Sequence, residues 1–223
     1  SDVCSSDLLQ TGACDIGMSP RRIKEEEVKT LAPITGKLTT RASEHIVALD
    51  GLAVIVNSTN PVSTLTLDQT QGLFTGKIAD WGQLNPAAKG QRVEVFARDD
   101  KSGTYDTFKS LVLHKEKLIK EAKRYEDSVQ LSRDVSSKNT GIGFIGLPYI
   151  KSSKAVAISG GALPILPTPF TVTTEDYSLS RRLYLYTPGQ PSNPKIREFV
   201  EFALSPEGQA VVEKIGFVPL TVR

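Results

Sequence analysis

Methionine and tryptophan each occur once in the 223 residues, and histidine and cysteine twice. Two cysteines, Cys4 and Cys14, cannot build a disulfide framework. Two histidines supply a zinc site poorly, so neither a metal nor a cofactor is expected. No apolar run approaches the ~18 residues that a bilayer span requires. Neither sign of charge dominates: 27 Lys and Arg stand against 25 Asp and Glu, a formal net charge of +2. That balance argues against a general nucleic-acid binder, whose basic residues are in excess and concentrated. The chain has no initiator Met and no charged segment leading into an apolar one, so no signal peptide is visible.

What remains is an ordinary globular composition, 39% apolar and 23% charged, long enough to bury a sizeable core. Ala13 to Met18 reads as a short strand ending at a turn, and Arg21 to Val28 is compatible with a helix. Thr30 to Arg41, with Pro33 and Gly36, reads as a loop. The β-branched apolar run His45 to Val56 predicts one long buried strand or two joined ones. Leu67 to Phe74 predicts a helix capped by Thr66 and closed by Gly76. Val93 to Ala97 reads as a strand. After the polar turn Arg98 to Thr104, Tyr105 to Leu113 places Phe108, Leu111 and Val112 on one helical face. Strands follow at Gly141 to Ile145, Ala155 to Ile158 and Arg182 to Tyr186, and Gly160 to Pro169 is a loop. The chain closes with two helices split at Ser205-Pro206, a natural N-cap followed by Pro at the first helical position. Strands and helices alternate, for which a mostly parallel sheet is the natural architecture.

The stretch richest in chemistry is Val93 to Leu113, a strand, a polar turn and a helix. A helix N-terminus presents unpaired N–H groups and partial positive charge. Gly103 allows a ligand close to the backbone. Ser102 and Thr104 add hydroxyls, and Arg98 offers a fork suited to a tetrahedral oxyanion. Such a turn holds phosphate or sulfate without a metal. The plainer alternative is a Ser N-cap with a surface Arg. Asp100 is the candidate for orienting Arg98, and it can accept a hydrogen bond from a protonated oxyanion. Asp99 reads as a solvated loop acid. Ser19, after a strand and a glycine, is a further hydroxyl candidate or a simple turn residue. His45 and His114 lack partners at metal or triad spacing, Trp81 reads as a packing anchor, and Cys14 as a buried thiol.

Several blocks carry a family resemblance, in order: Asp15-Ile16-Gly17-Met18-Ser19, Ile46 to Asn57, Leu73 to Trp81 (LFTGKIADW), Arg98 to Thr104 (RDDKSGT), Gly141-Ile142-Gly143-Phe144, and the last helix ending at Phe217-Val218. With them the chain resembles the phosphate-binding periplasmic proteins of ABC transporters, PstS-like members of the type II periplasmic binding proteins. The resemblance implies an α/β, two-lobed type II periplasmic binding protein fold with mixed sheets flanked by helices. Lobe 1 would comprise residues 9–52 and 180–223, and lobe 2 residues 53–179. It implies a monomer outside the cytoplasm that captures inorganic phosphate in an interlobe cleft and delivers it to an ABC-transporter permease. No nucleic acid and no membrane span enter that role. Arg98, Ser102, Gly103, Thr104 and Ser19 would bind phosphate, with Asp100 holding Arg98, and no residue would be catalytic.

The match departs in two places. Pro20 stands where many members have Asp or Ser, and it brings neither a polar side chain nor an N–H. The family's first strand and phosphate loop, and a second serine-bearing loop, do not precede Leu9, so the first lobe reads as incomplete. Each missing charge-assisted hydrogen bond is worth roughly 1.5–3 kcal/mol, so weak phosphate binding by this chain is expected. Residues 1–8, SDVCSSDL, resemble the translation of a sequencing-library adaptor and read as non-native. Two other functions fit the residues less well. One is an envelope module once fused to an OmpA-like peptidoglycan-binding domain. The other is a hydrolase acting through Ser102, which would need a base within reach.

Overall fold

A computed structural model describes residues 14–161, 163–189 and 193–220. The segment read as adaptor-derived, residues 1–8, lies outside the described residues. The chain divides into two compact units. Residues 1–50 with 181–223 form one, and residues 51–180 form the other.

In the first unit, β1 (Gly17–Ser19) pairs antiparallel with β9 (Ser180–Tyr186), Gly17 opposite Tyr186 and Ser19 opposite Tyr184. Next to β9 lies the first part of β2 (Glu44–Val56), a single 13-residue strand. Helix α1 (Glu25–Thr35) covers this layer, burying Leu31 against Leu38, Tyr184 and Tyr186, with Cys14, Ile23 and Ile46 at the margin. Cys14 is half-buried, not fully enclosed, because it precedes β1 and does not lie within a strand. The loop expected from Thr30 onward is helical to Thr35, with Pro33 inside the helix. Proline removes one N–H, and here it falls in the last turn. There the Thr35 hydroxyl donates to the Leu31 carbonyl at 3.0 Å and the Gly36 N–H to Ala32 at 3.0 Å. Helices α6 (Pro194–Leu204) and α7 (Pro206–Lys214) split where expected, Ser205 Oγ accepting from Gly208 N at 3.2 Å. The buried Gln209 amide donates to Val47 O (3.0 Å) and Ala203 O (2.8 Å), and its Oε1 accepts from Leu220 N (2.7 Å).

In the second unit the sheet is mixed, not mostly parallel. The remainder of β2 runs antiparallel to β6 (Gly141–Gly146), Leu52 opposite Gly146. Strand β4 (Glu94–Arg98) runs parallel to β6 on its other side, and β5 (Lys123–Tyr125) parallel to β4. Short β7 (Lys154–Ala155) pairs with β2. Strands β3 (Thr64–Thr66) and β8 (Ala157–Ser159) make a separate parallel pair. Alternation of strands and helices suggested parallel crossovers, but β2 meets β6 from the opposite direction. Helix α2 (Leu67–Thr75) has the cap and stop its sequence predicts: Thr66 Oγ1 accepts from Gln69 N at 3.1 Å, and Gly76 adopts φ 80°. Helix α4 (Ser128–Ser137) packs on β4 and β6, burying Leu131 and Val135 with Ala53, Ile55, Phe96 and Ile145. Gly143 permits that approach, since a Cβ there would meet Leu131 Cδ2 at 2.9 Å and Val135 Cγ2 at 3.0 Å. Trp81 is fully buried and donates to the Thr140 carbonyl at 2.9 Å. Helix α5 (Pro169–Thr173) buries Val172.

Candidate anion site

Strand β4 delivers Arg98 to its C-terminal end, and four residues later the chain turns into α3 (Gly103–Phe108). The turn is closed by Ser102 N donating to Asp99 O at 3.2 Å. Ser102 is the N-cap: its buried hydroxyl oxygen accepts from Thr104 N at 3.2 Å, and its carbonyl accepts from Asp106 N at 3.0 Å. Beyond Phe108 the helix loosens into a π-turn, Lys109–Leu113, that ends at His114 with φ 53°. Phe108 and Val112 are buried as the periodicity predicts, while Leu111 is half-buried. Behind the helix Phe108 stacks on Phe144 at 4.0 Å, and Phe74 meets both rings edge-on at 4.6 and 5.6 Å. Aromatic contacts of this kind give the turn a rigid floor.

Arg98 is held by neutral acceptors. Its Nε donates to Tyr125 O at 3.2 Å, Nη1 to Ser128 Oγ at 2.6 Å and Nη2 to Glu126 O at 2.9 Å. Among the described residues it forms no ion pair, so its charge is left for something else. A guanidinium has five N–H donors, and three are engaged here. Arg98 and Tyr125 are register partners in the parallel β4–β5 pair. The side chain therefore runs across the end of β5 to the turn before α4.

That direction corrects the expected role of Asp100. Its carboxylate Oδ1 accepts from Arg124 Nη2, not from Arg98, and its side chain is 81% exposed. Arg124 in turn lies over the Tyr105 ring, 4.3 Å from its centroid. Arg98 is bonded to Ser128, and among the described residues no hydrogen bond joins it to Asp100. The residues that hold it, the carbonyls of Tyr125 and Glu126 and the Ser128 hydroxyl, were not singled out in the sequence. An available signal was Asp127, which caps α4 by accepting from Gln130 N at 2.7 Å. Tyr125 is itself fixed, its hydroxyl donating to Asp134 Oδ2 at 2.7 Å. Burial, reinforced by that carboxylate, raises the Tyr125 phenol above its ordinary range.

The structure brings Arg98, Ser102, Gly103 and Thr104 together on one strand–turn–helix of the second unit. Ser19 belongs to the first unit. Its hydroxyl donates to Arg21 O at 2.7 Å and accepts from Arg21 N at 3.3 Å, the pattern of a serine-built turn. Neither histidine is bonded to Ser102: His45 meets Thr187 Oγ1 at 3.0 Å, and His114 is exposed. Among the described residues no group of His, Cys, Asp and Glu could hold a metal ion. No helix among them is long and apolar enough to cross a membrane.

A model of the PBP superfamily domain matches residues 7–207. The chain belongs to this superfamily. Within it the chain is 30% identical to the phosphate-binding protein PstS of Pseudomonas aeruginosa, over 96% of this chain and 71% of the relative. It is equally close, at 30%, to protein SphX of Synechococcus elongatus, over 95% of this chain and 65% of that protein. The chain thus spans about two thirds of the length of these PBP relatives. Among solved PBP structures it is similar to an ABC-type phosphate transport receptor from Vibrio cholerae. The TM-score is 0.79 and the identity 26%, covering 96% of this chain and 83% of that one. PstS from Borrelia burgdorferi shares the fold with a TM-score of 0.71 at 22% identity, covering 97% of this chain and 83% of that one.

Proposed function

We propose that this protein is a substrate-binding protein for inorganic phosphate, working outside the cytoplasm as a monomer and handing its ligand to an ABC-transporter permease. The observation that carries the reading is Arg98, a guanidinium anchored on three neutral acceptors and without a carboxylate partner among the described residues. It lies at the strand end that leads directly into the Ser102–Thr104 helix start. The names of the relatives support phosphate as the anion. Arg98 would supply the charge and two N–H donors. Gly103 and Thr104 would offer close backbone approach, Ser102 and Thr104 their hydroxyls, and Ser19 is kept as a separate hydroxyl candidate. Arg124 neutralises Asp100, which lowers the repulsion a carboxylate would exert on a phosphate dianion in the same turn. The reading assigns no catalytic role: a serine nucleophile needs a base in hydrogen-bond reach, and neither His45 nor His114 is bonded to Ser102.

The test is an amide NMR titration of the chain with inorganic phosphate at neutral pH, which registers weak as well as tight binding. Saturable shifts at Ser102, Gly103 and Thr104, abolished by Arg98→Ala and not reproduced by sulfate, are expected. An identical titration of the Arg98→Ala variant would overturn the proposal. Equal shifts with sulfate would replace phosphate by oxyanions in general.

A further inference from the structure

A second feature of the same unit meets the phosphate-binding turn only through Arg124, which pairs with Asp100. After the π-turn, residues 114–122 lead into β5, and lysine recurs along the stretch at Lys115, Lys117, Lys120 and Lys123, followed by Arg124, against two acids, Glu116 and Glu121. Together with α3 this segment encloses an open groove of about 370 Å³. Its walls carry Lys109, Lys117, Lys120 and Arg124. The apolar part of its lining is Leu118 and Ile119, both half-buried, with Ala122 and Tyr105.

The charges on the walls are unevenly spent. Lys109 pairs with Asp106 at 2.7 Å, and Arg124 with Asp100. Glu116, an acid on the rim, is taken by Lys77 at 2.9 Å. Lys117 and Lys120 are exposed and form no ion pair among the described residues, and the same is true of neighbouring Lys115. The groove therefore combines uncompensated positive charge with an apolar lining. The connection that presents it is fixed, because Ile119 N donates to Phe74 O at 2.9 Å and the Ile119 side chain packs over Gly76. Lys109 Nζ and the Arg124 guanidinium lie 4.8 and 4.3 Å from the Tyr105 ring centroid, which orders both cations.

We infer that this groove docks an acidic segment of a protein partner, one that places an apolar side chain on Leu118 and Ile119 and carboxylates beside Lys117 and Lys120. Charge complementarity selects an acidic occupant. The apolar lining selects a peptide over a uniformly anionic polymer, since a polyphosphate chain gains nothing from Leu118 and Ile119.

The probe is a fluorescently labelled peptide alternating Glu and Leu, titrated into the full chain at low salt and read by anisotropy. Saturable binding is expected, weakening as salt is raised to ~0.5 M, where the Debye length falls to only a few ångströms. The double variant Lys117→Glu/Lys120→Glu should bind about tenfold or more weakly, since it turns attraction into repulsion at two positions. The neutral pair Lys117→Gln/Lys120→Gln should lie between. Both lysines are exposed, so the melting temperature and the phosphate titration of these variants should match those of the parent chain. Absence of saturable binding overturns the proposal. So does inorganic polyphosphate, or polyglutamate without leucine, binding as tightly as the peptide.

Discussion

Replacing Ser128 by alanine tests how the candidate site is built. Ser128 Oγ accepts from Arg98 Nη1 at 2.6 Å, the shortest of the three bonds that hold the guanidinium. Ser128 is buried, with 7% of its surface exposed, so solvent replaces the lost acceptor poorly. A hydrogen bond to a charged group contributes about 1.5–3 kcal/mol, which bounds the loss. Arg98 keeps the Tyr125 and Glu126 carbonyls, so only part of that bound reaches the ligand. A loss of about 1–1.5 kcal/mol corresponds to roughly five- to tenfold weaker phosphate binding. Arg98→Ala should cost more, because it removes the charge itself. Ser128→Ala should also lower fold stability by about 1 kcal/mol, the part of that bound which does not reach the ligand, although α4 keeps its cap from Asp127 to Gln130 N. The assay is the phosphate NMR titration run beside a urea midpoint measurement. Ser128→Thr keeps the hydroxyl and should recover most of the affinity. Binding by Ser128→Ala within about twofold of the parent, while Arg98→Ala binds nothing, would refute the positioning argument.

Three further outcomes follow from the packing. Asp50 is 1% exposed and its Oδ2 accepts from Arg181 Nε at 2.9 Å and Nη2 at 2.6 Å, so Arg181→Leu should cost about 3–5 kcal/mol by stranding a buried carboxylate. Denaturant unfolding of that variant beside Asp50→Leu/Arg181→Leu should show the double variant recovering much of the loss. Gly143→Ala forces a methyl into Leu131 and Val135, and should lower the unfolding free energy by about 1–3 kcal/mol. The third outcome concerns pH. Burial holds the His45 imidazole below its ordinary pKa of 6.5, so the unfolded chain binds this proton more readily than the folded one. Stability contributed by neutral His45 is intact above that pH and falls as the pH drops through it, a dependence that His45→Gln should flatten in melts between pH 7.5 and 5.

Which parts of this molecule could be read in the sequence follows from the strength of the local signals. The His45–Val56 run reads as one long strand or two joined ones from its mostly branched and small apolar residues, and it forms one strand in which the nine residues Ala48 to Val56 are buried. Thr66 and Gly76 bracket α2 by the chemistry of helix ends, and that chemistry is local. The Arg98–Thr104 turn was legible as a strand running into an N-cap. Helix α4 was not, since Leu131 and Val135 are its sole buried apolar residues and serines fill the rest of its inner face. With α4 unseen, Ser128 and the direction of Arg98 were out of reach, and Asp100 took a role that Ser128 plays. The helix through Pro33 was missed for a related reason. The residue that breaks helices sits where a single lost hydrogen bond is affordable, and burial of Leu31 holds the turn. Strand direction was hidden as well, because alternation of element types does not specify which neighbour a strand pairs with.

The two places where the chain passes between units have a topological consequence. Asp50 and Arg181, the last and first residues of the discontinuous unit, are joined by an ion pair. Just inside the other unit, Leu52 N donates to Leu179 O at 2.9 Å, and Tyr177 Oη donates to Leu52 O at 3.0 Å. Each unit therefore has its own pair of cut ends side by side. Residues 51–180 sit in the sequence as an insertion whose entry and exit lie side by side. The segment bearing the Arg98 turn could be exchanged for a relative's without re-routing the rest of the chain.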